Sequence, residues 1–173
     1  MRRIAKEAPD KLSGRMAKSI TRPDLAKMKL AAKDAASRAY APYSQFRVGA
    51  AIWTDQGLFT GANVENASYG LTNCAERTAI FAAAAAGARK LECVVVYTPT
   101  PGAVAPCGAC RQVIFEFGPS AQVISCCDAA DTIETSIEAL LPGAFGPADL
   151  GIDPATYEAE ARKASSKRAK KAS

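Results

Sequence analysis

The sequence predicts a three-layer α/β/α domain with a mixed central sheet, and three observations carry that expectation. Its 173 residues and 49% hydrophobic content suit one domain with a substantial core. Segments of helical apolar periodicity alternate with short β-branched runs. One pair of runs is joined by a tight turn while others are separated by helical patterns, so antiparallel and parallel pairing must both occur. No internal repeat is visible.

Residues 1–22 mix charge, Ser, Gly and Pro without periodicity and read as a basic, disordered N-terminal arm. From Asp24, a candidate cap, a helix is expected because Leu25, Met28, Ala32, Ala35, Ala36 and Ala39 recur at spacings of three and four. It stops at the turn cluster around Pro42. Val48 to Thr54 and Leu58 to Val64 read as a hairpin around Asp55-Gln56-Gly57. Thr72 or Asn73 could cap a helix from Cys74 to about Ala86, closed by Gly87. Its five consecutive alanines, Ala82 to Ala86, predict burial on several sides.

Glu92 to Tyr97, with three valines in a row, reads as a buried strand. A Pro-rich loop then leads to a helix over 108–117. Gln122 to Ser125 is a further strand, Ile133 to Leu141 a short amphipathic piece, and Pro142 to Asp149 a loop. The catalytic domain is thus expected over 23–152. Residues 153–173 form a basic tail whose Ala/Glu/Lys content could make a helix.

The net charge of +5 belongs to the ends. Residues 1–22 hold seven basic and two acidic side chains, residues 153–173 six and three, and the intervening part is net acidic. Tails without interleaved aromatics argue against a nucleic-acid partner. No apolar run approaches the ~20 residues of a membrane span, and the basic N-terminus lacks the apolar stretch of a secretory signal. Six cysteines with a C-x-x-C pair then point to metal or redox chemistry in a reducing, cytoplasmic setting rather than to disulfides.

The chain has no histidine, so neither an imidazole base nor an imidazole ligand is available. Cys74-Ala75-Glu76 and Pro106-Cys107-Gly108-Ala109-Cys110 supply three thiols and a carboxylate, each segment at an expected helix start. Helix N-termini favour thiolates. Zinc with three protein ligands keeps its fourth position for water, and Glu76 could move that water's protons. Three thiolates leave the site at −1, and ionising a water there makes −2. Arg77, on the turn after Cys74, and Arg111, next to Cys110, are placed to donate to the sulfurs and offset that charge.

Two other readings compete. A redox C-x-x-C leaves Cys74 and Glu76 unexplained. A closed, non-catalytic zinc site would recruit Cys126 or Cys127 as a fourth ligand. Cys93, at a strand start, reads as a small buried hydrophobe.

The pattern resembles the three-cysteine form of the zinc-deaminase signature. Together with Tyr43-Ser44-Gln45-Phe46-Arg47-Val48-Gly49-Ala50-Ala51, Asn63-Val64-Glu65-Asn66-Ala67-Ser68-Tyr69 and Leu140-Leu141-Pro142-Gly143-Ala144-Phe145, it strongly resembles the small homotetrameric cytidine deaminases over about residues 24–150. The resemblance implies a cytidine-deaminase-like fold. It also implies one zinc per subunit on Cys74, Cys107 and Cys110, with Glu76 as proton shuttle. Phe46, Asn63, Val64, Glu65, Ala75 and Phe145 would contact the nucleoside, Phe145 from a neighbouring subunit in a tetramer with shared active sites. The implied reaction is deamination of cytidine and 2′-deoxycytidine in pyrimidine salvage. A deaminase of a related nucleoside such as blasticidin S shares the Cys/Glu core and stays open.

Overall fold

The computed structural model describes residues 23–154, so the basic arm 1–22 and the tail from residue 155 onward lie outside the described residues. Helix α1, Leu25–Ser37, starts where Asp24 accepts the backbone N–H of Lys27 at 2.8 Å. Its inward stripe is Met28, Ala32, Ala35 and Ala36. The hairpin follows as β1, Gly49–Thr54, and β2, Gly57–Ala62, paired from Gly49↔Ala62 to Thr54↔Gly57 around a two-residue turn.

The remaining elements are α2, Ala75–Ala85; β3, Leu91–Tyr97; α3, Gly108–Phe117; β4, Gln122–Cys126; β5, Thr132–Ser136; and the single turn α4, Ile137–Leu140. The sheet order is β2-β1-β3-β4-β5, with β3 and β4 parallel and the other neighbours antiparallel. The expected mixed sheet is therefore present. Because β1 runs against both β2 and β3, those two strands point the same way. Helices α2 and α3 thus each leave the carboxyl end of a parallel strand, and their N-termini open at one sheet edge.

The strands alternate between two cores. Ala51, Trp53, Cys93, Val95, Tyr97, Ile124 and Cys126 pack with Met28, Ala32 and Ala36 of α1. Ala50, Ile52, Val94, Val96 and Val123 pack with Ala79, Ile80, Ile114 and Ile137 from the three helices on the other face. Covered on both sides, β1 is buried at all six positions. Its small residues permit this: a Cβ on Gly49 would stand 2.0 Å from the carbonyl oxygen of Ala32. Cys93 sits in the α1-side core, as expected of a small apolar residue.

Several sequence expectations need correction. The second hairpin strand stops at Ala62 rather than Val64, because Val64 leaves the ladder to bridge Tyr40 and Asn73. Neither Thr72 nor Asn73 caps α2. Cys74 occupies that position, and Asn73 instead donates to the hydroxyl of Thr78. Gly87 does close the helix, at φ +97°, with Ala88 N–H returning to the carbonyl of Ala83.

The alanine run is not buried all round: Ala83 is buried, while Ala82, Ala85, Ala86 and the neighbouring Phe81 face outward. Helix α2 lies in an outer layer, and one side of it packs against no element among the described residues. The piece 133–141 divides between the end of β5 and the single turn α4. Ile133-Glu134-Thr135 pairs with β4, and Ser136 then caps the short α4 by accepting from Ala139. Two short 3₁₀ turns, Tyr69–Leu71 and Pro147–Leu150, carry no sequence signal that marked them. No helix among the described residues is long and apolar enough to cross a membrane.

The close approach of α1 to β1 yields a stability prediction. Gly49→Ala should destabilise the protein by about 1–3 kcal/mol through overpacking, seen as a lower urea midpoint at unchanged m-value. An unchanged midpoint would show that α1 can move away at no cost.

Candidate active site

The carboxyl-edge opening is where the three thiols meet. Cys74 is the N-cap of α2 and Cys107 the N-cap of α3, both extended in backbone and neither making a side-chain cap bond. Cys110 lies in the first turn of α3 and is buried. The sulfurs of Cys74 and Cys107 are 3.9 Å apart, and all three lie within 4.8 Å of one another. Tetrahedral zinc with bonds of about 2.3 Å sets sulfurs about 3.8 Å apart, so the donor set fits zinc in both chemistry and spacing.

The group contains no fourth cysteine. Cys126 donates to the carbonyl of Val96 and Cys127 contacts the carbonyls of Ala129 and Asp131, which removes the closed-site reading. A hydrogen bond from Cys110, reinforced by Arg77, brings the Cys74 thiol down to about 5. The same bond, with burial, pushes the Cys110 thiol up. The two thiols are thus driven in opposite directions.

Glu76, in the first turn of α2, is 4% exposed. Burial first, then the neighbouring Cys74 sulfur, raises its carboxyl pKa. A carboxyl so placed takes up and releases protons nearer neutral pH than an exposed one. Arg77 donates through Nη2 to the Cys74 sulfur at 3.5 Å and to the carbonyl of Thr72 at 3.4 Å. Its Nε is buried without a hydrogen-bond partner. Such a group is costly, and thiolate charge beside it offsets that cost.

Arg111 departs from expectation and does not reach a sulfur. Its Nε donates to the carbonyl of Pro106 at 2.7 Å and its Nη1 to that of Leu140 at 3.0 Å. The fork is occupied by two carbonyls, and its effect is to fasten the approach to Cys107 onto the end of α4.

A cavity of about 220 Å³ stands over the thiols, lined among others by Phe46, Val48, Asn63, Glu65, Ala75, Glu76, Thr98 and Cys107. A second, of about 350 Å³, adjoins it through Ser44, Glu65 and Thr72 and is walled by Tyr43 and Tyr69. The structure thus gathers Phe46, Asn63, Glu65 and Ala75 around Glu76. It does not bring in Val64, whose backbone serves the two bridges, or Phe145, which is 59% exposed beyond the cavity.

Asn63 and Glu65 also do work that their spacing did not suggest. Asn63 accepts from Val48 N–H and donates to the Phe46 carbonyl, both at 2.8 Å. Glu65 accepts from Tyr43 N–H at 2.9 Å, Ser44 N–H at 3.2 Å and the Ser44 hydroxyl, whose bond chiefly lowers the carboxyl pKa. Ser44 and Thr98 were not singled out from sequence. Only Ser44 has a sequence signal, its place two residues before Phe46.

Comparison with known proteins agrees with this arrangement. The family model described as the cytidine and deoxycytidylate deaminase zinc-binding region matches residues 23–126. A cytidine deaminase of Sporosarcina psychrophila is 45% identical over 129 residues, covering 73% of this chain and 95% of that one. A cytidine deaminase of Halalkalibacterium halodurans is 48% identical over 114 residues, covering 65% and 86%. The crystal structure of a cytidine deaminase from Burkholderia pseudomallei superposes with a TM-score of 0.69 at 51% identity, covering 71% of this chain and all of that one.

The Arg77 contact is open to direct measurement. Arg77→Gln should weaken zinc retention roughly tenfold or more, read by competition with a chromogenic chelator. Parental retention would mean that the guanidinium does not balance the thiolates.

Proposed function

Because the chain belongs to the cytidine and deoxycytidylate deaminase family, we propose that it hydrolyses cytidine and 2′-deoxycytidine to uridine and 2′-deoxyuridine with release of ammonia. The observation that carries this reading is the buried Glu76 beside three grouped sulfurs, beneath a cavity walled by Phe46, Asn63 and Glu65.

Cys74, Cys107 and Cys110 would hold one zinc ion per subunit, which supplies a Lewis acid that lowers the pKa of a coordinated water towards about 7. Glu76 does the proton work: it takes a proton from the attacking water and delivers it to N3 of the pyrimidine, then takes the remaining proton of the hydroxyl added at C4 and passes it to the amine, which leaves as ammonia while the C4 oxygen becomes the carbonyl. Its burial suits both directions of transfer, since a carboxyl with a raised pKa is a better base when ionised and remains a competent acid. Arg77 moderates the negative charge of the sulfurs. Phe46 offers an aromatic face to the base, and Asn63 and Glu65 face the sugar.

A nucleoside, rather than a nucleotide, fits the walls. Among the described residues no lysine or arginine lines either cavity, and the Glu65 carboxylate stands where they join. A phosphate there would meet repulsion without a counter-charge. Nothing among these residues favours a blasticidin-type side chain over a plain sugar.

We assign the catalytic unit to residues 23–152 and its working form to a homotetramer in which the neighbour's Phe145 completes each pocket. Phe81, at 48% exposure, stands beside outward-facing Ala82 and Ala85 on α2, a surface that small side chains make suitable for close helix packing. Gln112 holds the backbone of Phe145 with its ring turned out. Six cysteines without a disulfide fit a reducing cytoplasm.

Two measurements test this function. Glu76→Gln should keep zinc yet lose turnover by roughly 10²–10⁴-fold or more, in an ammonia-release assay run with cytidine, 2′-deoxycytidine and CMP. Retained deamination in the variant, or equal use of CMP, would contradict the reading. Phe81→Glu should convert a tetramer to smaller species in sedimentation velocity, whereas a monomeric parent would rule the assembly out.

A further inference from the structure

We infer that Ser44 is a positioning residue whose hydroxyl couples the loop carrying Phe46 to the Glu65 carboxylate, so that it governs nucleoside capture rather than the deamination step. This rests on the reading of the site given above, and it concerns a residue on the wall opposite the thiols.

The loop Tyr43–Phe46 has little to hold it. It is exposed, and Gln45 sits at φ +60°, a conformation that non-glycine residues rarely adopt. Apart from the bonds of Gln45 to the carbonyls of Ala41 and Pro42 and the edge contact of the Tyr43 ring with Tyr69, it is held by hydrogen bonds to two side chains beyond β2. Glu65 accepts three bonds from the loop, two from the backbone N–H groups of Tyr43 and Ser44 and one from the Ser44 hydroxyl. Asn63 donates to the carbonyl of Phe46 and accepts from Val48.

Ser44 Oγ is the one atom that joins the two ends of this arrangement. It donates to Glu65 Oε1 and accepts from the N–H of Phe46 at 3.0 Å. The Phe46 residue is therefore held through its N–H by Ser44 and through its carbonyl by Asn63.

Counting partners shows what this does for a sugar. A carboxylate has about four acceptor positions, and the loop fills three of them. What remains at Glu65 is room for one further donor, with the carboxylate already turned and fixed. Removing the Ser44 hydroxyl frees Glu65 Oε1 and strips Phe46 N–H of its acceptor in the same change. The base platform and the sugar acceptor then lose their common register, and order that was built into the empty site must be supplied by the ligand. None of the hydrogen bonds of Ser44 reaches Cys74, Glu76 or Arg77.

The test compares zinc-loaded parent, Ser44→Ala and Ser44→Thr. Ser44→Ala should raise KM for cytidine roughly tenfold, as expected for loss of a hydrogen bond to a charged group, with the fold-rise in KM at least five times the fold-loss in kcat. Ser44→Thr, which keeps the hydroxyl on an exposed loop, should bring KM back to within threefold of the parent. The Kd of cytidine for the same substitutions in a Glu76→Gln background should follow KM. A KM within twofold of the parent in Ser44→Ala, a rise that Ser44→Thr leaves in place, or a loss confined to kcat would each overturn the inference. Failure of the functional reading shows separately, as absence of cytidine turnover in the parent.

Discussion

The convergence of two helix N-termini at one sheet edge is the constraint on which the rest of the site depends. Three sulfurs within reach of one another are unfavourable as anions unless positive potential surrounds them. Here that potential comes from the first turns of α2 and α3, whose N-cap side chains leave the helix amides unsatisfied, and from Arg77. The topology makes this possible. Strands β2 and β3 point the same way because β1 opposes both, so the helices that follow them must start on the same side. A slip in that order would leave the cysteines on opposite edges.

The same edge gives Glu76 its character. Two residues after a cap, it lies in the first turn with its carboxyl turned inward, where water is largely excluded. Desolvation raises its pKa while the nearby guanidinium works in the opposite direction. The sulfur and the carboxyl are thus tuned by different causes: hydrogen bonds from Cys110 and Arg77 lower the Cys74 thiol against its burial, while burial draws the Glu76 carboxyl towards the acid.

Across the cavity the logic is mechanical rather than electrostatic. Asn63 and Glu65 reach back to hold the loop that carries Phe46, so the residues proposed to face the sugar also shape the proposed platform for the base. Sequence spacing could put Asn63 and Glu65 on one side. It could not show that the strand ends before them, or that Val64 between them is consumed by bridges to Tyr40 and Asn73. Arg111 illustrates the same limit. Adjacent in sequence to a metal ligand, it is carried by the local course of α3 towards the carbonyls of Pro106 and Leu140 instead. The alanine run misled for a related reason: composition reports what a helix tolerates, whereas burial depends on how many neighbours its layer provides.

By itself the sequence determined the chemistry and the local scaffold. With no histidine and three spaced cysteines, a thiolate metal site with a carboxylate partner was the reading that used both Cys74 and Glu76, and the span of α3, the cap at Asp24 and the stop at Gly87 followed from local rules that act over one or two turns. The tertiary structure alone decided which groups meet. Cys74 and Cys107 are 33 residues apart, and Ser44 and Glu65 are 21 apart. Contacts of that range are set by strand order, layer position and backbone bridges, whose energies come from the whole packed domain and not from any segment read alone.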